Sequence, residues 1–109
     1  RRWLRGANTS TVSTGIRVKH MADMVLDIIN EKGLHARASA KFVETVESFD
    51  ARAEVSRDGM SASGDSIMGL LMLAASKGTQ IEVTTSGNDA DQLANALRAL
   101  VADRFGEEY

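Results

Sequence analysis

The chain has 109 residues, 13 Lys plus Arg against 15 Asp plus Glu, no cysteine, no proline and 5% aromatic residues. A chain of this size buries roughly 60–70% of the surface it exposes when unfolded, so it supports one core and one domain. Without cysteine, disulfides, thiolate nucleophiles and thiolate metal sites are excluded. No apolar run approaches the roughly 20 residues of a membrane-spanning helix or makes a signal-peptide core, so a cytoplasmic location without membrane insertion is expected.

The formal net charge of −2 divides unevenly. Residues 1–20 hold Arg1, Arg2, Arg5, Arg17 and Lys19 and no acid, whereas residues 21–109 hold eight basic residues against 15 acids. The leader, RRWLRGANTSTVSTGIRVKH, is rich in Ser, Thr and Gly and shows no helical or strand period. It reads as a disordered basic extension, ahead of the alternatives of a transit peptide or a nucleic-acid-binding arm. His20 reads as a solvated side chain, and Met21 opens the patterned sequence and is a candidate start.

From Met24 the elements follow in order. Met24, Leu26 and Ile28 alternate with Val25, Asp27 and Ile29, predicting a strand that ends at Asn30 before the breaker Glu31-Lys32-Gly33. Between Ala36 and Phe49 the apolar positions Ala36, Ala40, Val43 and Val46, joined by Phe42 and Phe49, recur at helical steps, with Lys41, Glu44 and Glu47 facing water. Ala51, Ala53 and Val55 alternate as a second strand. Asp58-Gly59 is a hairpin signal leading into a third strand around Met60–Ala62. Ser66 is a fitting N-cap for a short helix from Ile67 to Ala75, ended by Lys77-Gly78. Ile81, Val83 and Thr85 make a fourth strand. Asn88 or Asp89 caps a last helix whose buried face is Leu93, Leu97, Leu100, Val101 and Phe105.

The order β-α-β-β-α-β-α contains a tight hairpin, which excludes an all-parallel doubly wound sheet. The expected fold is α+β, an open-faced sandwich of a four-stranded antiparallel sheet with three helices on one face.

Few groups are free for chemistry. His35 is the only histidine of residues 21–109, no metal-ligand spacing surrounds it, and no Walker or dinucleotide loop follows a strand. No cofactor or metal is expected. His35 lies in Gly33-Leu34-His35-Ala36-Arg37, where a strand gives way to a helix. The first amides of a helix lack intrahelical acceptors and sit at the positive end of its dipole, so this is a place where an anion is held. Arg37 adds a permanent cation with two donors for a phosphate. An imidazole of ordinary pKa about 6.5 is largely neutral near pH 7 and offers one ring nitrogen as a nucleophile. Spacing alone equally accommodates a surface histidine near a helix start.

The segment Gly33-Leu34-His35-Ala36-Arg37-Ala38-Ser39-Ala40-Lys41-Phe42-Val43 resembles the active-site motif of the HPr family, phosphocarriers of the bacterial phosphoenolpyruvate phosphotransferase system. Ser66-Ile67-Met68-Gly69-Leu70 resembles the family's regulatory-serine motif, and the likeness runs from about Met24 to Phe105. The resemblance implies that Nδ1 of His35 accepts a phosphoryl group from phosphorylated enzyme I and passes it to an EIIA protein, with Arg37 supporting the phosphate. It further implies that Ser66 is the target of HPr kinase/phosphorylase and that Ile67, Met68 and Leu71 form a docking patch. The competing reading of Ser66 is a plain N-cap, and of Met68, Leu71 and Met72 plain core.

Two departures stand out. Ala38 replaces the proline that most sugar-transporting members carry after the arginine, and Glu44 and Glu47 stand where enterobacterial sugar-type members carry lysines. The His-Ala-Arg-Ala-Ser variant resembles the nitrogen-type branch, especially its alphaproteobacterial members, and the acidic rim suits a regulatory relay to a nitrogen-type EIIA rather than sugar-type partners. The expectation is a monomeric, stoichiometric relay rather than an enzyme. The alternative is a regulatory module of the same fold acting by contact through its second-helix patch, modulated at Ser66. A nucleic-acid binder is disfavoured by the acidity of residues 21–109 and by phenylalanines confined to helix faces.

Overall fold

In the computed structural model, which describes residues 21–109, the chain forms β1 (Met21–Asp27), α1 (Ala36–Glu47), β2 (Arg52–Arg57), β3 (Met60–Ser63), α2 (Ile67–Met72), β4 (Gln80–Ser86) and α3 (Ala90–Ala102). A 3-10 turn at Arg104–Gly106 follows. The expectations for residues 1–20 lie outside the described residues.

The four strands lie in the order β1-β4-β2-β3, all neighbours antiparallel. The β2–β3 hairpin is closed by Asp58 and Gly59, both left-handed (φ 52 and 81), which is the two-residue loop whose twist matches that of the strands. Along the inner strands Ala53, Val55, Ile81, Val83 and Thr85 point inward while Glu54 and Glu82 face water. One sheet face is therefore covered by the three helices and the other is open, the predicted open-faced sandwich. Phe42, Leu70, Leu93, Leu97 and Phe105 fill the space between layers and have no exposed surface. Buried Thr85 satisfies its hydroxyl on the Ala90 carbonyl at 2.8 Å, which ties β4 to the start of α3.

Several element ends differ from the sequence reading. β1 starts at Met21 and stops at Asp27, not Asn30, because its ladder with β4 spans Met21↔Ser86 to Asp27↔Gln80. The next residues turn away, and Asn30 is a buried polar residue of the loop. α1 ends at Glu47, with Phe49 packed against the core from beyond the helix. Ala36, at its outer end, is exposed, and the buried stripe is Ala38, Ser39, Phe42, Val43 and Val46. Lys41 is half-buried, not solvated, since its ammonium donates to the Phe105 carbonyl at 2.7 Å.

α2 stops at Met72, not Ala75. Leu73 and Ala75 are both buried, and residues two apart do not share a helix face. Ala74, with φ 53, reverses the chain between them, and Lys77-Gly78 belongs to the turn into β4. At α3, Asp89 is the N-cap position, but its carboxylate accepts from the Asp50 amide at 2.8 Å instead of capping the helix.

Candidate functional site

The connection from β1 to α1 is held by its own backbone. The Gly33 amide donates to the Asn30 carbonyl at 3.1 Å, the His35 amide to the Gly33 carbonyl at 3.0 Å, and the Leu34 amide to the Ala75 carbonyl at 2.8 Å. Leu34 is buried and anchors the loop, so His35 emerges in a fixed place. It occupies the N-cap of α1 with extended backbone (φ −82, ψ −175), and its side chain makes no capping bond. The first intrahelical bond is from the Ser39 amide to the His35 carbonyl at 2.8 Å, so the amides of residues 36–38 precede the ladder. Arg37 is exposed in that first turn, and its guanidinium has no hydrogen-bond or ion-pair partner among the described residues.

The segment after α3 folds back over this loop. Phe105 is buried, the Glu31 amide donates to the Tyr109 carbonyl at 3.1 Å, and the Asn30 side-chain amide donates to Glu107 Oε1 at 2.9 Å and to the Gly33 carbonyl at 2.8 Å. The other Glu107 oxygen, Oε2, meets His35 Nε2 within hydrogen-bonding reach. Desolvation opposes ionisation of Glu107, but the Asn30 amide, His35 and the nearby Lys32 charge outweigh it and hold its carboxyl below the ordinary glutamate value. A cleft of about 440 Å³ opens beside these groups, lined by Lys32, Arg37, Lys41, Glu107 and Tyr109 among others. A larger depression of about 810 Å³ on the open sheet face, around Arg57 and Asp58, holds neither His35 nor Arg37.

The arrangement suits reversible attachment of a phosphoryl group: a ring nitrogen, unused helix-start amides and a free guanidinium. A model of the family described as "PTS HPr component phosphorylation site" matches residues 24–103. The chain belongs to the HPr family. It is 46% identical over 87 residues to the phosphocarrier protein HPr of Neisseria meningitidis serogroup B, covering 80% of this chain and 98% of that one. It is also 40% identical over 80 residues to the phosphocarrier protein NPr of Shewanella violacea, covering 73% and 88%. The crystal structure of HPr-C-His from Thermoanaerobacter tengcongensis aligns with a TM-score of 0.77 at 34% identity, covering 81% of this chain and 99% of that one. As a member of the HPr family, the chain is a phosphocarrier of the phosphotransferase system, with that system's proteins as its partners.

The second motif opens α2, which packs beside α1. Ser66 is the N-cap of α2, and its hydroxyl accepts from the Gly69 amide at 3.0 Å, so the capping role inferred from sequence is present. Ile67 and Met68 are exposed, and Leu71 is half-buried. Met72 is 74% exposed and completes an apolar surface with Met68 at 69%, while the core contribution of this helix is Leu70. Glu107 is absent from the sequence reading, and Asn30 enters it only as the end of the first strand. Glu107 is 72 residues from His35 in the chain, and no local pattern links the two.

Proposed function

We propose that this phosphocarrier accepts its phosphoryl group on Nδ1 of His35 from phosphorylated enzyme I and passes it to a histidine of an EIIA protein. The observation that carries the reading is His35 at the N-cap of α1 with its side chain uncommitted to the helix, beside amides that precede the hydrogen-bond ladder. In the step, the lone pair of Nδ1 forms the new N–P bond, and the donor P–N bond breaks with its electron pair returning to the donor imidazole. No water is needed and the proton on Nε2 stays in place. The three phosphoryl oxygens carry charge throughout, and helix-start amides with the Arg37 guanidinium stabilise it. Each phosphoryl group received is given up again, so the protein is a stoichiometric intermediate in the cytoplasm and not an enzyme. No oligomer is required for the relay.

The nitrogen-type branch is the preferred setting. Ala38 stands in place of the sugar-type proline, and Glu44 and Glu47 are exposed on α1, which presents acid where a lysine face would meet acidic partners. The likeness to the NPr of Shewanella violacea agrees with this. Ser66 is assigned as the site of HPr kinase/phosphorylase, where a phosphate at a helix start is electrostatically tolerated. Ile67, Met68 and Leu71 form the docking surface. The same exposed surface favours the second reading, a module acting by contact alone, which requires neither His35 nor Arg37.

The test is phosphorylation with enzyme I and phosphoenolpyruvate. The wild-type protein takes up one acid-labile phosphate, and His35→Ala takes up none. Equal labelling of the variant overturns the assignment.

A further inference from the structure

We propose that Glu107 is a positioning residue for the phosphoryl step, its carboxylate holding the Nε2–H of His35 so that the lone pair stays on Nδ1. The proposal rests on His35 being the phosphoryl acceptor. Glu107 lies outside residues 24–103, the span matched by the family model, and reaches the site from the segment beyond α3.

The two oxygens of Glu107 are divided between two partners. Oε1 accepts from the Asn30 amide at 2.9 Å, and Oε2 faces Nε2 of His35. Asn30 has no exposed surface, and its amide is fixed by a second bond to the Gly33 carbonyl at 2.8 Å, so it cannot be turned to offer its oxygen instead. It therefore demands an acceptor at Oε1 and sets the carboxylate in one orientation. An ionised carboxylate only accepts, so the imidazole nitrogen facing it carries the proton. In neutral imidazole the other nitrogen then holds the free lone pair, and that nitrogen is Nδ1.

The same contact acts on the product. After transfer the ring holds both the phosphoryl group on Nδ1 and the proton on Nε2, and the positive charge that results lies against Glu107. A carboxylate that orients a histidine and balances its charge acts through that histidine, never touching the transferred group. The side chains of His35 and Glu107 are 24% and 14% exposed, so water competes weakly for this contact. Anchoring by Phe105 and by the Lys41 bond to its carbonyl places the segment before Glu107 without help from His35.

Glu107→Gln separates positioning from mere shape. The Asn30 amide still requires an oxygen on its side, which turns the new NH₂ group toward Nε2 of His35. That NH₂ donates, so it favours the tautomer with the proton on Nδ1, the wrong one for attack. Ring nitrogen-15 shifts of the unphosphorylated protein, read at alkaline pH where the imidazole is neutral, are expected to show the Nε2–H tautomer in wild type, a mixture in Glu107→Ala and an Nδ1–H majority in Glu107→Gln. The rate of phosphate uptake from enzyme I follows the order wild type, Ala, Gln, with about 10–100-fold lost in kcat and KM unchanged. Identical tautomers in all three proteins overturn the proposal, as does Glu107→Ala accepting phosphate as fast as wild type or faster, which would make the segment a block. The tautomer measurement needs no phosphorylation, so it stands apart from the His35→Ala result. Gln keeps the shape of Glu, and amide spectra verify that the fold is retained.

Discussion

Gly33 and Ala75 are in closer contact than any side chain allows: a Cβ placed on Gly33 would stand 2.5 Å from the Ala75 carbonyl oxygen. That oxygen accepts the Leu34 amide at 2.8 Å, so the loop before His35 is locked to the turn after α2 through one atom. Gly33 also has φ 66, a conformation that L side chains avoid. The glycine thus couples the loop that carries His35 to the turn that follows α2.

Gly33→Ala is expected to destabilise the protein by about 2–3 kcal/mol, combining a left-handed backbone with a contact against carbonyl that cannot yield. Urea unfolding measures it. Gly59→Ala is the control, since its hairpin position has φ 81 but open space around the new methyl, and it loses only the backbone part, about 1 kcal/mol.

Phe105 anchors the segment that delivers Glu107. Its ring has no exposed surface although its backbone is left-handed (φ 55), and burial of the ring outweighs that strain. Phe105→Ala is expected to cost about 3–5 kcal/mol. Under conditions where the variant is still folded, it is also expected to reproduce the tautomer mixture of Glu107→Ala. A normal tautomer in that variant would mean that Glu107 is placed by something other than Phe105.

What was legible in the sequence follows from the range of the interactions involved. The hairpin was readable because Asp58-Gly59 meets a local backbone demand, and the helices because burial repeats at helical steps. The start of α1 at Ala36 was readable because the breaker Glu31-Lys32-Gly33 ends the strand just before it. The end of α2 was not, since an alanine with φ 53, not a glycine, turns the chain, and only burial of Leu73 and Ala75 forces it. Lys41 read as solvated because its partner is the Phe105 carbonyl, 64 residues away. Glu107 was one more surface acid until the fold carried it to His35.

The exposed methionines of α2 give a test that divides docking from chemistry. Met68 and Met72 contribute little to the core at 69% and 74% exposure, so Met68→Asp with Met72→Asp is expected to change stability by no more than about 0.5 kcal/mol. Loss of apolar anchors at the centre of a protein interface typically costs about 2 kcal/mol or more, so KM for enzyme I is expected to rise at least 10-fold. Labelling of His35 by phosphoramidate, a donor too small to need the patch, stays at the wild-type rate. An unchanged KM would move the docking surface elsewhere.

Acid should remove the contribution of Glu107 to stability. Its carboxyl is held below the ordinary value in the folded protein: burial works against the charge, and the Asn30 amide, His35 and Lys32 overcome it. A carboxyl with a depressed folded pKa binds its proton more weakly folded than unfolded, so its stabilising effect is complete above the unfolded pKa. The effect is lost as pH falls through the folded one. The stability gap between wild type and Glu107→Ala, taken from urea unfolding, is therefore expected to be full above about pH 5 and to shrink steadily below about pH 4. Asn30→Ala removes the first of the groups favouring the charged form, and the point at which the gap closes should then move up in pH. A gap that is the same at about pH 7 and about pH 3 would mean that packing of the Glu107 stem, and not its charge, holds the segment to the site.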